Sequence, residues 1–321
     1  MQQIKKIAVM TSGGDAPGMN AFIRAVVRYS IEKGLEVYGI QEGYKGLIKN
    51  QFKYMDFDSV CNIIQQGGTI LGTARSKEFM THEGRVKAAQ NLRDMGIEAL
   101  ICCGGNGSYA GLYEFANKET GVWDGLVVGA PGTIDNDVIG TDFTIGFDTA
   151  VNTAVEAIDK LRDTGDSHSR HFIVEVMGRH CGDIALAVGV ASGARYIAIP
   201  ETKTDIDAIV ETIGRHGHDI IIIAEGDEVG GADKLAKILQ PHLDAAENGD
   251  KEAEFRVCIL GHVQRGGSPT ARDRILAHDM GLASVDAVLA GETLKAVSSR
   301  CGELLLTATL VEKQAETVVC G

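Results

Sequence analysis

The stretch Pro131-Gly132-Thr133-Ile134-Asp135-Asn136-Asp137 carries residue types suited to chemistry. It follows Leu126-Val127-Val128-Gly129-Ala130, an apolar run that reads as a strand buried on both faces. In an open α/β sheet, ligands bind beyond the carboxyl ends of the strands. Asp135 and Asp137 stand two apart, so an extended backbone would turn both carboxylates to one side. Such a pair can act as a base or hold a hard cation. A turn with solvated or capping aspartates is the plainer alternative for this segment alone.

Glycine-rich turns set the context. Gly104-Gly105-Asn106-Gly107-Ser108, between strand Ala99–Cys103 and a helix, has the makings of a phosphate cradle. Gly105-x-Gly107-x-x-Ala110 also fits a dinucleotide fingerprint, but Ala130-Pro131 stand where that motif needs an acid, which disfavours a nicotinamide nucleotide. Gly13-Gly14-Asp15 repeats the device, Arg75 follows a third glycine-rich turn, and Gly178-Arg179, Arg256 and the Gly261–Ser268 loop repeat it in the second half. A single arginine reads as a solvated surface charge. Arg75, Arg179, Arg256 and Arg265, at strand ends or in the loops after them, together suit doubly charged phosphates. His262, beside Arg265, reads as a ligand contact of the same group.

These turns need elements to position them. Strands are expected at Ile7–Met10, Val37–Ile40, 99–103, 126–130, Phe172–Met177, Tyr196–Ile199, Ile220–Ala224 and Phe255–Leu260. Helices are expected after Met19 (ending at Gly34), near Ser59–Gln66, over Thr81–Met95, from N-cap Asp148 to about Thr164, and from about Ala271 to Ala290. Alternation at these lengths predicts α/β architecture: two Rossmann-like lobes with mainly parallel sheets and helices on both faces. The expected boundaries are 1–146 and 264–302 for a nucleotide-binding lobe, and 147–263 and 303–321 for a sugar-phosphate-binding lobe.

Composition narrows the partners. Across 321 residues, 44 acidic against 31 basic side chains give a net charge of −13, which argues against nucleic acid or an anionic membrane. The sequence has no long apolar span, its first residues lack a signal-peptide layout, and its seven cysteines show no Cys-x-x-Cys spacing. That usage fits a reducing cytoplasm.

Four blocks carry a specific resemblance: Thr11–Asn20 (TSGGDAPGMN), Pro131–Asp137, Glu175–Arg179 (EVMGR) and Gly261–Pro269 (GHVQRGGSP). Together and in this order, they resemble the signature blocks of ATP-dependent 6-phosphofructokinase of the short-chain bacterial type, over essentially the whole chain. The resemblance implies a glycolytic, allosteric homotetramer that transfers the γ-phosphoryl of ATP to the 1-hydroxyl of fructose 6-phosphate, with Mg²⁺. By matching position, Asp135 would be the base, flanked by Thr133 and Asp137, with Arg179 and Gly14 stabilising the transferring phosphoryl. Tyr44, Arg75, Gly105, Asn106, Gly107, Ser108 and Gly111 would hold the nucleotide, with Asn106 and Asp137 at the metal. Met177, Gly178, Glu225, His262 and Arg265 would hold the sugar phosphate, with Arg170 and Arg256 reaching it from a neighbouring subunit.

The chain departs from the family pattern in places. Asn106 stands where the family has an aspartate that contacts magnesium, which implies a weaker metal site and raises the alternative of a catalytically weak regulatory or binding paralogue. Gly107 and Gly132 stand where pyrophosphate-dependent relatives carry an acid and a lysine, which favours ATP over that second alternative. Arg24, Arg28 and Arg162 match effector-binding positions. Phe57, Gly214 and His216 replace usual cations there, and Arg195 replaces a carboxylate, which implies weakened effector control.

Overall fold

A computed structural model describes residues 4–168, 170–213, 218–245 and 254–308. The chain divides into two units. The first comprises the described residues of Met1–Thr133, Asp137–Gly146 and Gly267–Gly321, and the second comprises those of Ile134–Asn136 and Phe147–Gly266.

The first unit opens with β1 (Lys6–Ser12), α1 (Met19–Glu32), β2 (Glu36–Ile40), α2 (Gly43–Ile48), β3 (Phe52–Met55), α3 (His82–Met95), β4 (Ala99–Gly104), α4 (Asn106–Ala116) and β5 (Leu126–Pro131). The second unit follows with α5 (Phe147–His168), β6 (Arg170–Val176), α6 (Asp183–Ser192), β7 (Tyr196–Ala198), α7 (Ile206–Thr212), β8 (Ile220–Ala224), α8 (Ala232–Ala245) and β9 (Glu254–Ile259). The chain then re-enters the first unit through α9 (Ala271–Leu289), β10 (Lys295–Arg300) and β11 (Glu303–Ala308).

Among the described residues the first sheet runs β11-β10-β5-β4-β1-β2-β3. Its inner strands are parallel, and β3 and β11 add antiparallel edges. Every residue of β4 is buried, as a strand covered on both faces requires. The second sheet, β7-β8-β6-β9, is parallel throughout. Isoleucines 221 and 223 of β8 pack with Leu235, Leu239 and Leu243 of α8.

Several expectations are corrected. The stretch Ser59–Gln66 is not a helix: a single 3₁₀ turn, Asp58–Val60, ends at extended Cys61. Asn62 then takes a positive φ of 55°, and its carbonyl accepts the side-chain amides of Gln65 and Gln66, so local bonds replace a helical ladder. Asp148 is not the N-cap of α5 but lies in its first turn, and the helix runs past Thr164 to His168. The antiparallel pairing of β11 with β10 joins 303–308 to the first sheet, against the boundary drawn at 302. Residues 309–321, Gly214 and His216 lie outside the described residues.

Candidate active site

The order β4-β1-β2 makes β1 and β4 a topological switch, with chain leaving their carboxyl ends in opposite directions. Ser12 and Gly104 are in register, so the Gly13-Gly14 and Gly105–Ser108 turns emerge side by side. Gly105 precedes α4 without a side-chain cap, and no acid occupies the first turn of that helix. The Ser108 N–H donates back to the Gly105 carbonyl at 2.9 Å, and the N–H groups of Asn106 and Gly107 ahead of it carry the positive end of the helix dipole. A Cβ on Gly107 would meet nothing within 4 Å, so the turn is open where an anion would approach. The Ser108 hydroxyl is buried and without a hydrogen-bond partner.

Tyr44 supports this cradle from behind. Its hydroxyl donates to the Ser108 carbonyl at 2.5 Å, and its ring stacks on Phe79 with centroids 4.0 Å apart. Burial pushes its phenol well above the usual range. Gly111 leaves room for that ring, since a Cβ there would come within 2.9 Å of it. Arg75 is exposed, in a loop whose backbone is fixed by two buried side chains. The Thr11 hydroxyl meets Thr69 at 2.9 Å and the Gly72 carbonyl at 3.1 Å. Asn20, 1% exposed, donates to the carbonyls of Gln66 and Gly67 and accepts from the Ile70 N–H at 2.7 Å. Sequence reasoning quoted Asn20 only as the last residue of the Thr11–Asn20 block and gave it no role; a polar residue inside the apolar repeat of α1 was the further signal.

The Pro131–Asp137 stretch does not continue as a strand. It bends at Ile134-Asp135, and Asn136 takes a positive φ of 54°. The extended geometry that would have put Asp135 and Asp137 on one side is therefore absent. Asp137, half-buried, belongs to the first unit, where its carbonyl accepts the Asn106 side-chain amide at 3.0 Å. That bond uses the amide nitrogen of Asn106 and leaves its oxygen to accept. Among the described residues there is no cluster of three or more His, Cys, Asp or Glu that could hold a metal. A donor set of one carboxylate and one amide oxygen, as Asp137 and Asn106 offer, nevertheless fits Mg²⁺, which takes one or two carboxylates and draws its remaining ligands from phosphates and water. Thr133 accepts the Thr144 hydroxyl through its carbonyl at 2.6 Å. A Cβ on Gly132 would lie 2.4 Å from the Cys103 sulfur, so the packing there admits no side chain without a shift.

In the second unit, the carboxyl ends of β8, β6 and β9 lie in register, Val176 with Ala224 and Glu175 with Ile259. The residues that follow converge there. Gly178 and Arg179 both take positive φ, 140° and 53°. The Glu225 carboxylate accepts the Arg179 backbone N–H at 3.0 Å, and its own N–H donates to Val176. The approach is so close that a Cβ on Gly226 would lie 1.6 Å from the Arg179 carbonyl, which makes glycine obligatory there. Arg179 Nε lies 3.6 Å from Asp135 Oδ2, with the Arg179 side chain 54% exposed and that of Asp135 7%. The Asn136 amide donates to Asp183 at the start of α6, holding the segment that carries Asp135. Met177 is buried, His262 is exposed and Arg265 is half-buried in the 3₁₀ turn Gly261–Arg265.

Arg170 and Arg256 are not brought to that end. Arg170 is the first residue of β6 and Arg256 the third of β9, so both lie toward the amino ends of their strands. The rest of β6, His171–Val176, at about 3.3 Å per residue, separates Arg170 from the Met177–Arg179 loop. The reading of Arg256 as a strand-end residue is thereby corrected. Both guanidiniums pair with Glu254, Arg170 at 3.2 Å. Of the effector candidates, Arg24 and Arg28 share one half-buried face of α1, and Arg28 lies 4.9 Å over the Phe57 ring. Arg162 donates to the Ser192 carbonyl at 2.5 Å, and Arg195 pairs with buried Asp219 at 2.8 Å.

A doubly wound fold with a glycine cradle at its switch point defines an α/β protein built to hold phosphates. The phosphofructokinase family model matches residues 6–288. The ATP-dependent 6-phosphofructokinase 1 of Thermus thermophilus is 52% identical over 309 residues, covering 95% of this chain and 92% of the relative. The ATP-dependent 6-phosphofructokinase of Staphylococcus carnosus is 49% identical over 312 residues, covering 95% and 92%. The solved phosphofructokinase structure of Saccharomyces cerevisiae superposes with a TM-score of 0.85 at 40% identity, covering 94% of this chain and 44% of the yeast chain. The chain belongs to the phosphofructokinase family.

Proposed function

We propose that the chain is an ATP-dependent 6-phosphofructokinase, forming fructose 1,6-bisphosphate and ADP in glycolysis. The observation that carries this is the buried Asp135 carboxylate beside a half-exposed Arg179 guanidinium, on the segment that leaves β5. Asp135 accepts the proton of the sugar 1-hydroxyl at a carboxylate oxygen, as a positioned base does. Arg179 and the Gly14 backbone N–H neutralise charge on the phosphoryl group in flight, and Arg75 holds the nucleotide phosphates. The α4 N-terminus, with Gly105, Asn106, Gly107 and Ser108, takes the nucleotide, while Tyr44 and Gly111 keep its shape. Met177, Gly178, Glu225, His262 and Arg265 hold the sugar phosphate, and Thr133 steadies the base. Mg²⁺, held by Asn106 and Asp137, would supply charge neutralisation for the nucleotide phosphates.

Arg170 and Arg256, at the amino ends of their strands, serve the sugar 6-phosphate of a neighbouring copy. The working form is therefore a homo-oligomer, read as a tetramer, in the cytoplasm. No helix among the described residues is long and apolar enough to cross a membrane.

The donor test is a coupled assay for fructose 1,6-bisphosphate with ATP or pyrophosphate. ATP is expected to give by far the larger kcat/KM: Gly107 leaves open the space that the rest of ATP needs, and Cys103 leaves no room for a lysine at 132. A larger kcat/KM with pyrophosphate would overturn the reading. No product with either donor would favour the catalytically weak paralogue that Asn106 suggests.

Effector control is expected to be feeble. Arg28 is engaged by Phe57 and Arg162 by a carbonyl, and Arg195 brings a cation already paired with Asp219. Rates at low fructose 6-phosphate should change less than about twofold on adding ADP. Strong activation would contradict this account.

A further inference from the structure

Gln264 is completely buried inside the turn that carries His262 and Arg265. Both ends of its amide are used. Oε1 accepts the Met177 backbone N–H at 2.8 Å, and Nε2 donates to the Ala150 carbonyl in the first turns of α5 at 3.3 Å. Met177 opens the loop Met177–Arg179, whose far side is held by Glu225. The neighbouring backbone link, Leu260 N–H to the Glu175 carbonyl at 3.1 Å, ends the β6–β9 ladder just before the turn. Beyond that point, Gln264 is a side-chain tie between the His262–Arg265 turn and the Met177–Arg179 loop. Its amide provides a donor and an acceptor in fixed opposition, which neither a carboxylate nor an apolar side chain of that length supplies.

We infer that Gln264 is a positioning residue for the sugar phosphate, setting the distance between the His262–Arg265 turn and the Met177–Arg179 loop. The inference rests on the phosphofructokinase reading of this chain and goes beyond it. Losing the tie leaves a buried N–H and a buried carbonyl without their partner and lets the turn shift against the loop. A shift on the order of 1 Å is enough to cost up to about 10²-fold in a site that depends on alignment. The loss falls on the sugar phosphate, since both bonds of Gln264 go to second-unit residues, one of them the Met177 that opens the sugar-phosphate loop.

The test compares wild type, Gln264→Met and Gln264→Glu in the coupled assay, with melting temperatures measured alongside. Gln264→Met, which loses both bonds at similar length, is expected to raise the KM for fructose 6-phosphate about tenfold or more, with the KM for ATP within about twofold. Gln264→Glu keeps the acceptor for Met177 and, with its buried carboxyl protonated, can also donate to the Ala150 carbonyl, so a smaller rise than in the methionine variant, about threefold, is expected, and this variant decides the matter if the methionine variant fails to fold. A purely structural role would lower the melting temperature and the active fraction while leaving both KM values at wild type, and that result overturns the inference. A wild type active with ATP beside unchanged variants removes only the role of Gln264. A wild type with no turnover removes the parent reading and this one with it.

Discussion

Asp135→Asn is expected to lower kcat by about 10²–10⁴, the usual worth of a positioned base, with the KM for ATP within about twofold. Asparagine matches aspartate in shape, so the bend at Ile134-Asp135 and the burial of the side chain should survive. What is lost is the capacity to accept a proton and the partner of Arg179 at 3.6 Å. The Arg179 side chain is more than half exposed, so solvent screens that pair and little stability should go with it. Turnover in the coupled assay checks the rate, and a thermal melt within a few degrees of wild type checks the fold. Wild-type kcat in the variant would remove Asp135 from the chemistry.

The second large effect is expected at Asn106. Changing it to aspartate should lower the Mg²⁺ concentration for half-maximal activity by about 10–100-fold, because a full negative charge joins that of Asp137 at the metal. The geometry adds a cost that the sequence did not reveal. The amide of Asn106 donates to the Asp137 carbonyl, and a carboxylate can only turn an acceptor toward it. Asn106→Asp should therefore melt below wild type without Mg²⁺ and recover much of the difference when Mg²⁺ is added. A Mg²⁺ titration of activity and a melt at each concentration make the check. Unchanged kinetics would dismiss Asn106 as a determinant of metal affinity.

The inner strands were legible because burial on both faces leaves an unbroken apolar run, as in Ala99–Cys103 and Ile220–Ala224. The turns after them were legible because glycine is required where backbone approaches an anion or another strand. Edge strands were not: β3, Phe-Lys-Tyr-Met, is half-exposed and carries no such run. The helix expected over Ser59–Gln66 failed because the Asn62 carbonyl, on a residue of positive φ, captures two glutamine side chains, a choice that periodicity does not register.

At the site, the charged and glycine positions could be given roles from their motifs, whereas two amides inside the same blocks could not. Asn20 and Gln264 bind backbone groups 46 to 114 residues away, and nothing in local spacing announces such partners. The two-apart spacing of Asp135 and Asp137 misled for a related reason. Asn136 turns into the left-handed region and bonds to Asp183, so the extended backbone that the spacing presumed is broken at one residue.

The central claim is that the Asp135 carboxylate takes the proton from the sugar alcohol. The most direct measurement is a crystal structure of the chain with a non-hydrolysable ATP analogue, Mg²⁺ and fructose 6-phosphate. An Asp135 oxygen about 2.6–3.2 Å from the sugar 1-hydroxyl oxygen is the expected result. A bound sugar whose 1-hydroxyl meets some other base, with Asp135 turned away from it, would contradict the account.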